Sequence, residues 1–353
     1  MKDEVSAFIT DLGYFLPARL VTNRDLQAEN PAWDMERIGK KTGINSRRIA
    51  ADDETAADMA FAAAERLFAQ GRVHRSEIDY LLFCTQSPDY MLPASACILQ
   101  HRLGLPVNCG AIDFNQGCSG FIYGLQLANA LISSRSASNV LLLTGETYSK
   151  YIHPLDRSVR VLFGDAATAT VIGGNRPGAR IVTSVVGTDG SGCQSLIVPI
   201  GGARRPSGSE SPQEVCDENG SIRGAANLFM DGQELFAFTL KRVPDLVGRL
   251  LAETGLTVGD VDLFVFHQAN EFMNEHLRRK MLLPKEKVPL SLDDVGNTVS
   301  NTIPLTLSRI SGQLAPGNKI VLVGFGVGYS WGACLLEWGE VGVCNEPGTS
   351  QKQ

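Results

Sequence analysis

The run from Cys118 to Ser133 contains no charged residue. It follows a short apolar strand, Ala111 to Phe114, after a break at Gly117. Phe121, Ile122, Leu125, Leu127, Leu131 and Ile132 cover most of a helical wheel. The segment therefore predicts a helix buried on nearly all sides. Cys118 falls at its N-terminus, where unpaired backbone N–H groups and the positive end of the helix dipole favour the thiolate, the reactive form of cysteine. Two readings follow: a nucleophile at the mouth of a buried helix, or one more small buried hydrophobe.

The other charges and cysteines narrow the class. The chain has 353 residues, 44% apolar and 20% charged, enough for a large core or two merged domains. Net charge is −6, and no basic tract or basic–aromatic stripe points to nucleic acid. The N-terminus, Met1-Lys-Asp-Glu-Val-Ser, lacks the apolar core of a signal peptide, and no apolar run reaches the ~18 residues of a membrane span. The eight cysteines form no Cys-x-x-Cys pair and no zinc spacing with histidine. A cytoplasmic chain with reduced thiols and no metal fits this pattern.

Strands and helices alternate along the chain. Thr55 to Ala69 is an Ala-rich helix, and Glu77 to Cys84 and Val140 to Thr144 are buried strands. Pro93 to Leu103 reads as a helix, and Arg160 to Ile172 as a small-residue strand. The pattern then restarts. Leu235 to Thr254 is an amphipathic helix with Pro244 inside it, Asp260 to Phe266 a buried strand, Glu271 to Met281 a helix, and Lys319 to Val323 and Ser330 to Glu337 the last strands. Gly201 to Gly224 is a polar loop or flap. Ser76-Glu-Ile-Asp-Tyr-Leu-Leu-Phe-Cys84 and Gly259-Asp-Val-Asp-Leu-Phe-Val-Phe-His267 are two copies of one strand pattern. The expected organisation is two similar α/β halves packed face to face, residues 1–174 carrying Cys118 and 175–341 carrying the second copy, with 342–353 a polar tail. Sites in such folds form beyond the carboxyl ends of strands, and Cys118 and His267 both follow one.

Of the five histidines, only His267 ends a buried strand. Gly296-Asn297-Thr298-Val-Ser300-Asn301 is a polar turn that would also suit a helix cap. Gly324-Phe-Gly-Val-Gly328 has the wrong spacing for a dinucleotide fingerprint, and a strand follows it rather than a helix. Such a turn brings backbone N–H groups close to a reacting carbonyl.

Cys118-Ser-Gly-Phe, His267-Gln-Ala-Asn270, Gly296-Asn297-Thr298 and the terminal Gly-Phe-Gly-x-Gly, in that order, resemble the β-ketoacyl-ACP synthase III family of the thiolase superfamily over residues 5–338. Lys41-Thr-Gly-Ile44, Leu155-Asp-Arg157, Phe163-Gly-Asp165 and Met230-Asp-Gly232 agree as well. The resemblance implies a thiolase-like fold, two pseudo-symmetric α/β halves in five αβαβα layers, and a homodimer. It implies catalytic Cys118, His267 and Asn297, with backbone N–H groups of Cys118 and Val327 as the oxyanion hole. It implies an acyl-CoA or acyl-ACP donor and malonyl-ACP as substrates, an acyl carrier protein as partner, and no cofactor. Cys118 would take the acyl group; His267 and Asn297 would stabilise the enolate left when malonyl-ACP loses carbon dioxide.

Some positions depart from the family pattern. A tryptophan usually precedes the Thr-Gly-Ile motif by five residues; here Arg37 stands there. Arg157 matches a CoA-contacting arginine, and Asn270 closes the His-Gln-Ala-Asn motif. Two residues after it, where a carrier-contacting arginine is common, stands Phe272. Arg278, Arg279 and Lys280 offer a basic patch instead. Gln86 to Leu92 falls where a dimer partner would line the acyl pocket. The alternative reading is a superfamily acyltransferase that passes the acyl group to a nucleophile other than a carrier-bound one, or condenses in a secondary-metabolite pathway. A non-catalytic partner subunit is disfavoured because Cys118 is present.

Overall fold

The computed structural model describes residues 5–208 and 213–344. Among them, ten strands join one mixed sheet. In chain order they are β1 (Ala7–Phe15), β2 (Tyr80–Cys84), β3 (Gly110–Phe114), β4 (Asn139–Glu146), β5 (Ala166–Gly174), β6 (Ala179–Thr188), β7 (Leu263–Phe266), β8 (Lys319–Gly326), β9 (Ser330–Glu337) and β10 (Gly342–Cys344). The helices that matter are α1 (Met35–Thr42), α2 (Ala56–Phe68), α3 (Gly120–Ser133), α4 (Gly232–Thr254), α5 (Glu271–Lys280) and α6 (Thr302–Ile310).

The strand order is β7-β8-β9-β6-β1-β5-β4-β2-β3, with β10 beside β1. One pairing pattern occurs twice. β2 runs parallel to β4, β4 antiparallel to β5, and β5 antiparallel to β1. In the same way β7 runs parallel to β8, β8 antiparallel to β9, and β9 antiparallel to β6. The two sets meet at a seam of only two residue pairs, Phe8 with Arg180 and Ile9 with Ala179.

Alternation along each strand sorts the side chains into layers. Leu82 and Leu142 turn inward with Phe121, Ile122 and Leu125 of α3 and Ile303 and Leu307 of α6; Ile320, Leu322 and Val265 meet the same helices from the other half. Leu81, Phe83, Leu141 and Leu143 turn outward onto α2. Val321, Val323 and Phe264 turn outward onto α4 and α5. The result is helix, sheet, helix, sheet, helix. Phe121, Ile122, Leu125, Ala128 and Ile132 bury α3 in the middle layer, but burial is not all round as expected: Leu127 is 40% exposed.

Three segments differ from the sequence reading. The strand expected from Arg160 begins at Ala166; a short helix, Arg157–Arg160, precedes it because the Asp156 carboxylate caps it through Ser158 N–H at 3.0 Å. The Gly201–Gly224 stretch contains a small hairpin, Val215–Cys216 with Ile222–Arg223. Residues 342–344, expected to open a polar tail, pair in parallel with Asp11–Gly13; residues 345–353 lie outside the described residues.

Candidate active site

Cys118, His267 and Asn297 stand far apart in sequence and line one narrow cleft of about 90 Å³ with Asn270, Phe163, Leu196, Leu235 and Phe325. Cys118 and His267 each follow a strand, while Asn297 lies in a loop. Cys118 sits in the turn between β3 and α3, two residues before the helix begins. His267 follows β7 and is fixed by its own N–H to Val323 O at 2.8 Å. The Asn297 loop is pinned in both directions to the segment before β5, through Asn297 N–H to Leu162 O (2.9 Å) and Gly164 N–H to Asn297 O (3.0 Å).

The glycine-rich turn after β8 closes down on Cys118. A Cβ at Gly326 would lie 3.0 Å from both Cβ and Sγ of Cys118, and one at Gly324 would lie 2.8 Å from Ser119 Cα. Glycine is thus the residue that lets this strand end reach the cysteine. The backbone N–H groups of Cys118 and Val327 favour the Cys118 thiolate. Ser330 Oγ, bonded to Ser119 Oγ at 2.7 Å and to Val327 O at 2.8 Å, ties the two turns together.

The electrostatics reverse one expectation. Cys118 is 5% exposed. Burial, with the nearby Glu146 carboxylate, pushes its thiol up to about 12, and the two N–H groups only partly offset this. At neutral pH the resting cysteine is a thiol rather than the thiolate its position before a helix suggested. Burial drives His267 the other way, down to about 3, so its ring is neutral. The Thr302 hydroxyl donates to Val299 O at 3.1 Å and contacts His267 Nδ1 at 2.8 Å. Nδ1–H then donates to Thr302, and a bare Nε2 is left for the cleft. Asn297 Oδ1 accepts from Val299 N–H at 2.9 Å, which leaves its amide N–H groups as the cleft-facing donors. Val299 itself holds a left-handed backbone, φ 57°. A β-branched residue there is strained.

Two family models match this chain: 3-oxoacyl-[acyl-carrier-protein (ACP)] synthase III over residues 112–190, and its C-terminal model over residues 251–338. The β-ketoacyl-[acyl-carrier-protein] synthase III of Caldanaerobacter subterraneus is 35% identical over 340 residues, covering 96% of this chain and 99% of that one. This chain belongs to the 3-oxoacyl-[acyl-carrier-protein] synthase III family. The synthase III of Symbiobacterium thermophilum is 38% identical over 94% of the chain and 98% of its own length. A crystal structure of a 3-oxoacyl-(acyl-carrier-protein) synthase III superposes with a TM-score of 0.92 at 49% identity, covering 94% of this chain and all of that one. The Burkholderia xenovorans 3-oxoacyl-(acyl-carrier protein) synthase does so with 0.88 at 38%, covering 96% of each.

Outside the cleft, a vestibule of about 840 Å³ shares Asn270, Met230 and Met273 with it and adds Arg157, Lys41 and Phe272. Phe272 packs at a tilt against Phe236 and His276, and Lys41 Nζ lies 4.9 Å from the Phe272 ring centre. A cation from the Lys41-Thr-Gly-Ile motif thus reaches the Phe272 ring. Arg37 is exposed on α1 and lines neither cavity. Leu92 is 83% exposed beside β3 and lines neither. Arg278 and Arg279 both engage Glu275, at 2.7 and 2.6 Å, and hold its carboxyl at about 2; Arg278 also donates to Leu283 O. Their patch is partly neutralised and lies off the cleft, while Lys280 is exposed.

Sequence reasoning missed Glu146. It ends β4 fully buried and accepts from Gln86 N–H, the Ser87 hydroxyl (3.1 Å) and the Ser300 hydroxyl (3.1 Å). It therefore joins the loop after β2 to the Asn297 loop beneath Cys118. Burial raises its carboxyl to about 8. The available signal was a carboxylate closing an otherwise apolar strand. Above pH 8 its negative charge opposes the Cys118 thiolate. Removing that charge by Glu146→Gln lowers the cysteine's pKa, and the effect fades below pH 8, where Glu146 is already neutral. We expect iodoacetamide to alkylate Cys118 about tenfold faster at pH 9 in Glu146→Gln, as one pKa unit requires; peptide mass mapping would read this, and an unchanged rate would contradict it.

Proposed function

We propose that this chain condenses an acyl thioester with malonyl-ACP, with loss of carbon dioxide, to give a 3-oxoacyl-ACP. The observation that carries the reading is the convergence of a cysteine, a neutral histidine and a donor-presenting asparagine, far apart in sequence, on one cleft. His267 Nε2 takes the Cys118 proton as the sulfur attacks the acyl carbonyl, and returns it to the departing thiolate. The N–H groups of Cys118 and Val327 hold the oxyanion. Malonyl thioester then enters. Exchange with solvent removes the Nδ1 proton and places one on Nε2, the Thr302 hydroxyl turns to donate to Nδ1, and Nε2–H and the Asn297 amide bind the thioester oxygen. That stabilises the enolate left by decarboxylation; its carbon attacks the acyl-cysteine carbonyl, the C–S bond breaks, and Cys118 leaves as a thiolate that takes a proton from solvent. Simple acyl transfer to another nucleophile has less use for this donor pair.

In the same reading Arg157, Lys41 and Asn270 contact the phosphopantetheine or nucleotide arm in the vestibule. Arg279 and Lys280, exposed on the last turn of α5, meet the acidic carrier. The enzyme is a cytoplasmic homodimer without a bound cofactor, its halves divided between Gly174 and Asn175. Its support is β3, an unpaired sheet edge tied to Ser95 and Ala96 N–H through Asp113 (2.6 Å each), beside the exposed Tyr90, Met91 and Leu92. Leu92 then lines the partner's acyl pocket. A priming β-ketosynthase of a polyketide pathway, 30% identical with a TM-score of 0.81, shares this architecture, so a specialised pathway remains the second reading. The test is mass spectrometry of the carrier after incubation with malonyl-ACP and acyl-CoAs or acyl-ACPs of graded length. A 3-oxoacyl-ACP is expected for one length class; no product from any donor overturns the proposal.

A further inference from the structure

A second cavity, of about 350 Å³, lies on the other side of Phe163 from the cleft. Arg19, Arg47, Lys150 and Arg160 line it, against one carboxylate, Asp52. Arg47 belongs to the strand Ser46–Ile49, paired with Arg19–Thr22, and is 1% exposed. Its guanidinium donates only to neutral oxygens: Asn23 Oδ1 (2.9 Å from each terminal nitrogen), Val161 O (2.8 Å) and Val21 O (3.4 Å). Its Nε is buried with no partner. A buried charge without a counter-ion is unfavourable, so such groups are found paired.

The neighbours deepen the imbalance. Burial lowers the Arg47 guanidinium to about 10, and the charge of Arg160, though paired with Glu29, adds to this. Lys150 Nζ donates to the backbone oxygen of Asp52 at 2.8 Å. Arg19 makes no side-chain hydrogen bond or ion pair among the described residues. Four cations converge on a walled space, one of them buried with a free N–H.

We infer that this cavity is an oxyanion site that takes a phosphate-class ligand, diphosphate-sized or smaller, and is separate from the thioester's vestibule. The guanidinium groups supply planar donors matched to phosphate oxygens, and Lys150 supplies a mobile charge at the mouth. The volume is at the lower end of small-molecule sites. Phe163 lines both cavities, and Arg47 holds Val161 O two residues before it, so a bound anion bears on the wall of the cleft. This inference does not depend on the condensation chemistry.

The experiment is thermal unfolding of the full chain with inorganic diphosphate, at ionic strength held constant with sodium chloride. Binding should raise the melting temperature by roughly 3 °C or more at a hundredfold excess over Kd. The rise should persist in Arg157→Gln, whose arginine lines the vestibule. It should vanish in Arg19→Glu/Lys150→Glu, which reverses two exposed charges and spares the buried Arg47. Calorimetric titration with CoA should then give the same affinity with and without saturating diphosphate. No shift in the unaltered chain, a shift that survives the double charge reversal, loss of the shift in Arg157→Gln, or competition with CoA would each overturn it.

Discussion

Replacing Cys118 with alanine is expected to abolish acyl-enzyme formation. Incubated with acyl thioesters of graded length, the unaltered chain should gain the mass of one acyl group, and Cys118→Ala should gain none. The effect is expected to be complete because no neighbour can take over. Cys84 is the other buried thiol close by; its Sγ donates to Gln116 O at 3.0 Å, and burial holds it well above the usual thiol range. Neither it nor Ser119, whose hydroxyl is committed to Ser330, lines the cleft. Stability should change little, since the substitution removes only a sulfur beside a cleft that is already open. An acyl adduct on Cys118→Ala would move the nucleophile elsewhere and dissolve the site as described.

The same comparison explains which parts of this protein can be read from its sequence. The helix after Cys118 was legible because an apolar run without charge has one stable place, the middle of a layered fold. The repeated strands Tyr80–Cys84 and Leu263–Phe266 were legible because each is a short β-rich run between helices, and the structure gives each a parallel partner in the same position of its half. Cys118, His267 and Asn297 were legible as a set through their motifs. Their convergence was not, because it depends on pairings such as Leu162 with Asn297, 135 residues apart, that no local pattern encodes.

What the sequence concealed is mostly burial. A cysteine before a helix reads as an activated thiolate if the helix end is wet. Here the chain buries it over Glu146, and desolvation outweighs the backbone donors. Arg47 follows the basic stretch Arg37–Lys41 with nothing in the sequence to set it apart; the ribbon it belongs to folds it inward with no carboxylate to meet it. Gly342–Cys344 read as tail because three residues carry no periodicity. Their partner, Asp11–Gly13 of β1, comes from the opposite end of the chain.

Asn297→Ala and His267→Ala should separate the two halves of the reaction. In Asn297→Ala the acyl adduct on Cys118 should still form, because the asparagine's donors face the cleft rather than the sulfur's proton. Condensation should fall by roughly 10²–10³, the usual effect of removing one donor to a developing oxyanion. His267→Ala should lose a comparable factor in condensation and also slow acylation, since its bare Nε2 is the base nearest in kind to the thiol proton. The acylation lost this way should return in part at high pH, where hydroxide deprotonates the cysteine; the condensation loss should not, because it reflects a missing donor. Burst-phase acylation monitored by intact mass, beside carbon dioxide release from labelled malonyl-ACP, measures the two steps independently. If Asn297→Ala slowed acylation as much as it slowed carbon dioxide release, its amide would be shaping the cleft rather than holding the enolate, and the division of labour between Asn297 and Cys118 would have to be redrawn.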